Sequence, residues 1–168
     1  MISRNNPLTN TPNIKLVVSR EFDAPRELVW KAWTEPAQIK AWLAMGEGMT
    51  IESVKVDLRV GGKFRIQTKM ENEFFTAAGT YLEVKALERL VYTWDWEKDG
   101  GGAEFGELEG RETQITVDFR ESGKRTQLVL THEKFASTES RDRHEGGWKD
   151  WISRLAKFIE TKQGETTH

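Results

Sequence analysis

The sequence predicts an α+β domain: a curved antiparallel sheet wrapped around a long C-terminal helix, with two short helices after the first strand. Three observations predict it. Six strand-like runs follow one another between residues 51 and 133, joined mostly by short turns, which implies an antiparallel meander rather than βαβ units. Residues 26–43, RELVWKAWTEPAQIKAWL, set Trp30, Trp33 and Trp42 on two short helices, and that much aromatic surface must be buried. Residues 137 to about 162 read as one helix with Trp148, Trp151, Ile152, Leu155, Phe158 and Ile159 along one side. About 25 helical residues span roughly 38 Å, enough to cross a sheet. Packing the front helices and the last helix around the sheet can leave a hollow between them.

The elements follow in order. Residues 14–22 (IKLVVSREF) form the first strand. Asp23 stands where an N-cap belongs and Pro25 in the first helical turn, so a helix is expected over 25–33. Thr34 and Pro36 end it and start a second helix reaching about residue 43. The strands are expected at 51–56, 63–68, 74–84, 89–96, 112–119 and 126–133. Ile115, Val117 and Phe119 share one face, as do Leu128, Leu130 and His132, and Leu90, Tyr92, Trp94 and Trp96. Gly61 and Gly62, in the turn DLRVGG, supply a positive φ. Gly146 and Gly147 stand inside the last helix, where each costs about 1 kcal/mol relative to Ala. Packing against the sheet is the reading favoured for them over close approach at a pocket mouth.

Length and composition bound the function. The 168 residues fit one domain, expected over 14–163, with a disordered lead at 1–13 and a disordered tail at 164–168. A net charge of -2 gives no basic footprint for nucleic acid and no polybasic patch for a membrane. No apolar run approaches the ~20 residues of a membrane span, and residues 1–13 lack the apolar stretch of a signal peptide. The absence of cysteine excludes disulfides, thiolate metal sites and a cysteine nucleophile and fits a cytoplasmic protein. No phosphate-cradling GxxxxGK[ST] is present, and GGGAEFG does not match GxGxxG. HEGGW begins like a zinc-protease motif, but Trp148 stands where a second histidine is required. Neither a metal nor another cofactor is expected. The acidic, glycine-rich loop over 97–110 lacks the ligand spacing of an EF-hand and is expected to be a mobile hairpin tip.

The ordered set FDAPRELVWKAWTEP (22–36), AWL (41–43), DLRVGGKFR (57–65), GTYLEVKALERLVYTWDW (79–96), LTHEKF (130–135) and HEGGW (144–148) resembles the SRPBCC, or START-like, superfamily with its helix-grip fold. Within it, the chain is most similar to bacterial relatives of the C-terminal domain of the activator of the ninety-kilodalton heat-shock chaperone's ATPase. The resemblance covers most of the chain after residue 14. It implies a hydrophobic cavity between the sheet and the long helix, as in relatives that bind lipids, sterols, polyketides or plant hormones, and in a few that act on them as cyclases. The eukaryotic activator has a separate N-terminal domain that engages the chaperone. The 168 residues leave no room for one, which argues against chaperone activation.

Trp42, Phe64, Ile66, Tyr81, Tyr92, Trp94, Trp96, Phe119, Leu130, His132, Trp148, Ile152 and Leu155 are the candidate ligand-binding residues. Large aromatics bury about 150–250 Å² each, and the same pattern describes either an ordinary core or the wall of a site for a flat apolar molecule. The family resemblance favours the wall. His132 is either a satisfied core or rim residue, or a polar contact or general base. His144 is expected on the helix surface. For an enzyme the candidates are His132, Tyr92, Arg65 and Asp95, with Asp95 at the opposite parity to Trp94 and Trp96. No paired carboxylates and no nucleophile–base pair can be placed by spacing. The expected function is therefore the binding of a small, mostly hydrophobic molecule in a cavity of a few hundred Å³. The alternatives are a cyclase- or hydrolase-type enzyme in the same cavity and a chaperone-interacting module.

Overall fold

A computed structural model describes residues 13–45, 48–97 and 112–166. The proposed lead, apart from its last residue, and nearly all of the acidic loop lie outside these. Seven strands form one antiparallel sheet: β1 (Leu16–Phe22), β2 (Met49–Val56), β3 (Lys63–Met70), β4 (Glu73–Lys85), β5 (Arg89–Trp96), β6 (Thr113–Ser122) and β7 (Arg125–Glu133). Their order is β1-β7-β6-β5-β4-β3-β2. The chain thus builds a meander from β2 to β7, and β7 returns beside β1. Two short helices, α1 (Arg26–Thr34) and α2 (Pro36–Leu43), follow β1, and α3 (Thr138–Thr166) closes the fold.

The alternation read from the sequence sets the inner face. Ile115, Val117, Leu128, Leu130 and His132 are fully buried, with Phe119, Leu90, Tyr92 and Trp94 nearly so. α3 lies over this face against β1 and α2, and Ile152 and Leu155 point into the core. At the far end of the sheet β4 carries a bulge between Tyr81 and Glu83. A bulge bends a strand and strengthens its twist, which curls the β3–β5 half toward α2.

Several local expectations need correction. Pro25, not Asp23, is the N-cap of α1: its ψ of 158° is extended, and its carbonyl accepts the Leu28 and Val29 N–H groups. A proline suits this place because it has no N–H to leave unsatisfied. α3 starts at Thr138, after Ser137 whose hydroxyl accepts the Ser140 N–H, and runs to Thr166 rather than about residue 162. Gly61 has the expected positive φ of +85°, but Gly62 is needed for space: a Cβ there would collide with the Asp57 carbonyl. Gly146 and Gly147 do not pack on the sheet. Both are exposed, with nothing within 4 Å of a Cβ placed on them. Beside the turn at Gly61 and Gly62, Asp57 and Arg59 pair at 2.9 Å on the surface, where such a pair adds little.

Gly79 of β4 faces β5 so closely that a Cβ would meet the Thr93 carbonyl and the Phe64 ring. Gly79→Ala should therefore destabilise the fold by about 3 kcal/mol or more. Gly146→Ala, in open space on a helix, should stabilise it by about 1 kcal/mol. Urea midpoints of the two variants would check the opposite signs.

Candidate functional site

The tryptophans of the front helices meet those of the last helix. Trp33 stacks on Trp42 at 5.9 Å and on Trp148 at 6.1 Å, and Trp42 meets Trp151 edge-on at 6.2 Å. From the sheet, Trp94 reaches Trp148 at 5.1 Å, Trp151 at 6.1 Å and Trp96 at 5.6 Å. Trp30 sits apart, edge-on to Phe119 at 5.2 Å. The Arg154 guanidinium holds the two helices together. It donates to the Leu43 carbonyl at the end of α2 (3.0 Å) and pairs with Asp150 one turn back (2.6 Å).

Two histidines fix the indoles. Trp148 donates its Nε1–H to His132 Nδ1 at 3.0 Å. His132 must then carry its proton on Nε2, which donates to Thr113 Oγ1 at 2.7 Å, and Thr113 passes the chain on to the Trp94 carbonyl at 2.9 Å. His144 is the mirror case. Its Nδ1–H donates to the Ser140 carbonyl at 2.8 Å, and its Nε2 accepts from Trp96 Nε1 at 2.9 Å. Both rings are therefore neutral, in opposite tautomers. They lie 5.2 Å apart, with Phe135 against both at 4.3 and 5.1 Å. His144 is thus buried, 6% exposed, not a surface residue. Its place four residues before Trp148 and eight before Ile152 puts it on the buried face of α3, a signal the sequence contained. His132 is wholly buried with both nitrogens engaged, so it offers neither a free base nor a ligand contact.

Among the described residues only two buried side-chain nitrogens lack a hydrogen-bond acceptor: Arg26 Nε and Trp94 Nε1. Trp42 donates to the Ala32 carbonyl at 2.7 Å, Trp33 to the Tyr92 hydroxyl, and Trp96 and Trp148 to the two histidines. A buried donor left unpaired costs about 1–3 kcal/mol. Burial raises both phenols, Tyr81 and Tyr92. For Tyr92 the neighbouring Tyr81 acts in the same direction and the Trp33 indole against it. Both stay protonated at neutral pH.

Trp94, Trp148 and Trp151 separate two clefts. The first, about 40 Å³, brings together the predicted Trp42, Phe64, Ile66, Tyr81, Tyr92, Trp94 and Trp148. It adds Trp33, Ile39, Val56 and Trp151, which were not among the candidates. The second, about 70 Å³, lies between Trp96 and α3 and is bordered by Arg143, His144 and Gly147. Among the described residues neither cleft reaches the expected few hundred Å³, because stacked indoles fill most of the space. Phe119, Leu130, His132, Ile152 and Leu155 border neither cleft and belong to solid core. Arg65 and Asp95 border a groove on the outer face of the sheet, where Arg65 pairs with Glu97 at 3.0 Å. The described residues hold no group of three or more His, Asp or Glu able to take a metal. No helix among them is long and apolar enough to cross a membrane.

The model of one protein family, the Activator of Hsp90 ATPase homolog 1-like protein, matches residues 23–160. The chain belongs to this family. The match runs from the turn after β1 to the last turns of α3, and so includes both clefts and the histidine pair. Solved structures agree with that family fold. An AHSA1-like protein from Aeromonas hydrophila is 20% identical, with a TM-score of 0.71 over 89% of this chain and 94% of that one. Protein NE0264 from Nitrosomonas europaea is 23% identical, with a TM-score of 0.70 over 89% and 96%. CalU16 from Micromonospora echinospora is 25% identical, with a TM-score of 0.64 over 90% and 79%. A comparison with curated proteins finds no match.

Burial, and secondarily His144, hold His132 well below the ordinary histidine range. The unfolded chain takes up a proton near pH 6.5 that the folded chain refuses. The stability contributed by neutral His132 is therefore whole above about pH 6.5. It declines as pH falls below that value toward the folded one, by up to about 1.4 kcal/mol per pH unit. Urea midpoints between about pH 8 and 5 should show this decline. His132→Phe should flatten it and, by stranding the Trp148 N–H, lower stability at neutral pH by about 1–3 kcal/mol. A flat wild-type profile would contradict the assignment.

Proposed function

We propose that this protein binds a small, flat, mostly apolar molecule between α2, α3 and the β3–β5 half of the sheet. The observation that supports this reading is Trp94, which borders both of two largely aromatic clefts and whose buried N–H has no acceptor among the described residues. Such walls fit flat apolar ligands, with a few polar groups to orient them. Each cleft is smaller than the cavity of about 150 Å³ known to take up benzene. Binding on this account displaces one of the dividing rings and merges the clefts. Trp151 is the ring suited to move, being only partly buried, whereas Trp94 and Trp148 are enclosed.

Native mass spectrometry and tryptophan fluorescence during titration with fatty acids, sterols and flavonoids test the reading. Saturable binding of at least one compound, with a shift in emission, is expected. If no apolar compound binds, the reading falls. Arg154→Ala, which frees α2 from α3, should speed association several-fold at a stability cost of about 1 kcal/mol. Stopped-flow fluorescence reads that rate.

The small volume of the clefts supports a second reading: an interior filled by its own side chains, in a module that acts through its surface on a chaperone, as the family's name states of its activator. It predicts a complex with a ninety-kilodalton heat-shock chaperone in pull-downs and an inert response to every apolar compound. An enzyme has less support, since His132 is sealed and the Tyr92 hydroxyl accepts from Trp33.

A further inference from the structure

Gly146 and Gly147 each cost α3 about 1 kcal/mol relative to Ala, and the core makes no use of either. Both are exposed, with nothing within 4 Å of a Cβ placed on them. They differ in one respect: Gly147 borders the second cleft, and Gly146 borders neither cleft. His144, Gly147, Trp148 and Trp151 stand at positions i, i+3, i+4 and i+7 of α3, which share one helical face. That face carries rings at three positions, all of them at the cleft, and bare backbone at the fourth. Across the cleft stand Trp94 and Trp96 of β5, edge-on to each other at 87°. Trp151, the ring suited to move when a guest binds, is edge-on to Trp148 at 80°. It lies one turn beyond Gly147, so the space it vacates runs into the gap over the glycine.

We infer that the ligand is a planar fused-ring molecule whose face lies on the bare α3 backbone at Gly147, with Trp96 against it from the sheet. This rests on the binding reading and deepens it, naming Gly147 as the residue that positions the ring. A rigid flat face on a bare backbone keeps its contacts over the whole overlap. A methyl group beneath it holds the face off, and a gap of roughly 0.5–1 Å forfeits a quarter to a half of the attraction. A flexible acyl chain bends round a methyl group at little cost. Gly147 therefore selects rings over chains, which the indole walls alone do not do. Arg143 borders the same cleft, so rings and chains are compared at equal charge.

Two probes with one carboxylate each, 2-naphthoate and octanoate, are titrated against the full chain by fluorescence and calorimetry. The wild-type chain is expected to bind 2-naphthoate more tightly than octanoate. Gly147→Ala should weaken 2-naphthoate about tenfold and octanoate less than about twofold. Gly146→Ala, on the same helix but off the cleft, should leave both affinities within about twofold. Both variants should raise the urea midpoint, so that a loss of binding at Gly147 is not a loss of fold. In the wild-type chain the Gly147 α-protons should move upfield in the ring current of added 2-naphthoate, and those of Gly146 should move less. Unchanged 2-naphthoate binding in Gly147→Ala overturns the inference, as does an equal loss in Gly146→Ala or an equal loss for octanoate. So do a lowered urea midpoint in Gly147→Ala, Gly147 α-protons indifferent to the ring, tighter binding by octanoate, and failure of 2-naphthoate to bind. The binding reading itself falls only if the wider panel of fatty acids, sterols and flavonoids is also silent.

Discussion

Two histidine–indole hydrogen bonds hold the last helix to the sheet, and the arrangement of the site depends on them. Trp148 and Trp96 come from different elements, and each would present an unpaired N–H to an apolar interior. His132 on β7 takes the first, and His144 on α3 takes the second. Each ring can accept only because it is neutral, and each is kept in its tautomer by a second bond, to Thr113 or to the Ser140 carbonyl. Phe135 lies against both rings. These constraints fix where Trp148 and Trp96 stand, and so where Trp33 and Trp94 can stack.

The resulting interior is unusual in its economy of polar groups. Among the described residues, the indoles of Trp33, Trp42, Trp96 and Trp148 are committed to protein acceptors, whereas the buried Trp94 N–H has none. Leaving it unpaired costs stability, and a residue whose local arrangement costs stability in an otherwise satisfied core is where function is to be sought. The family fold supplies the scaffold, a bent sheet and a long helix.

Much of the fold was legible. Period-two alternation marks the buried faces of β5, β6 and β7, and of the three tryptophans in residues 26–43, Trp33 and Trp42 meet Trp148 and Trp151 of the last helix as expected, while Trp30 packs on Phe119. Seven of the thirteen candidate residues border the first cleft and Trp96 the second. Phe119, Leu130, His132, Ile152 and Leu155 lie deeper, because alternation marks a face and says nothing of depth. His144 was misplaced although its helical spacing to Trp148 pointed inward; its polar side chain outweighed its position. Gly146 and Gly147 are exposed on the same helix with open space at each Cβ position, and Gly147 borders the second cleft. The volume of the hollow was not legible at all, since it depends on how far stacked indoles interpenetrate.

The account turns on the charge and proton placement of two buried rings. Long-range ¹H–¹⁵N spectra of histidine side chains in the unliganded protein read both directly. They should show His132 as the Nε2–H form and His144 as the Nδ1–H form, with His132 still neutral well below pH 6.5. A protonated His132 near neutral pH, or the same tautomer at both positions, would mean that the indoles are not held in this way.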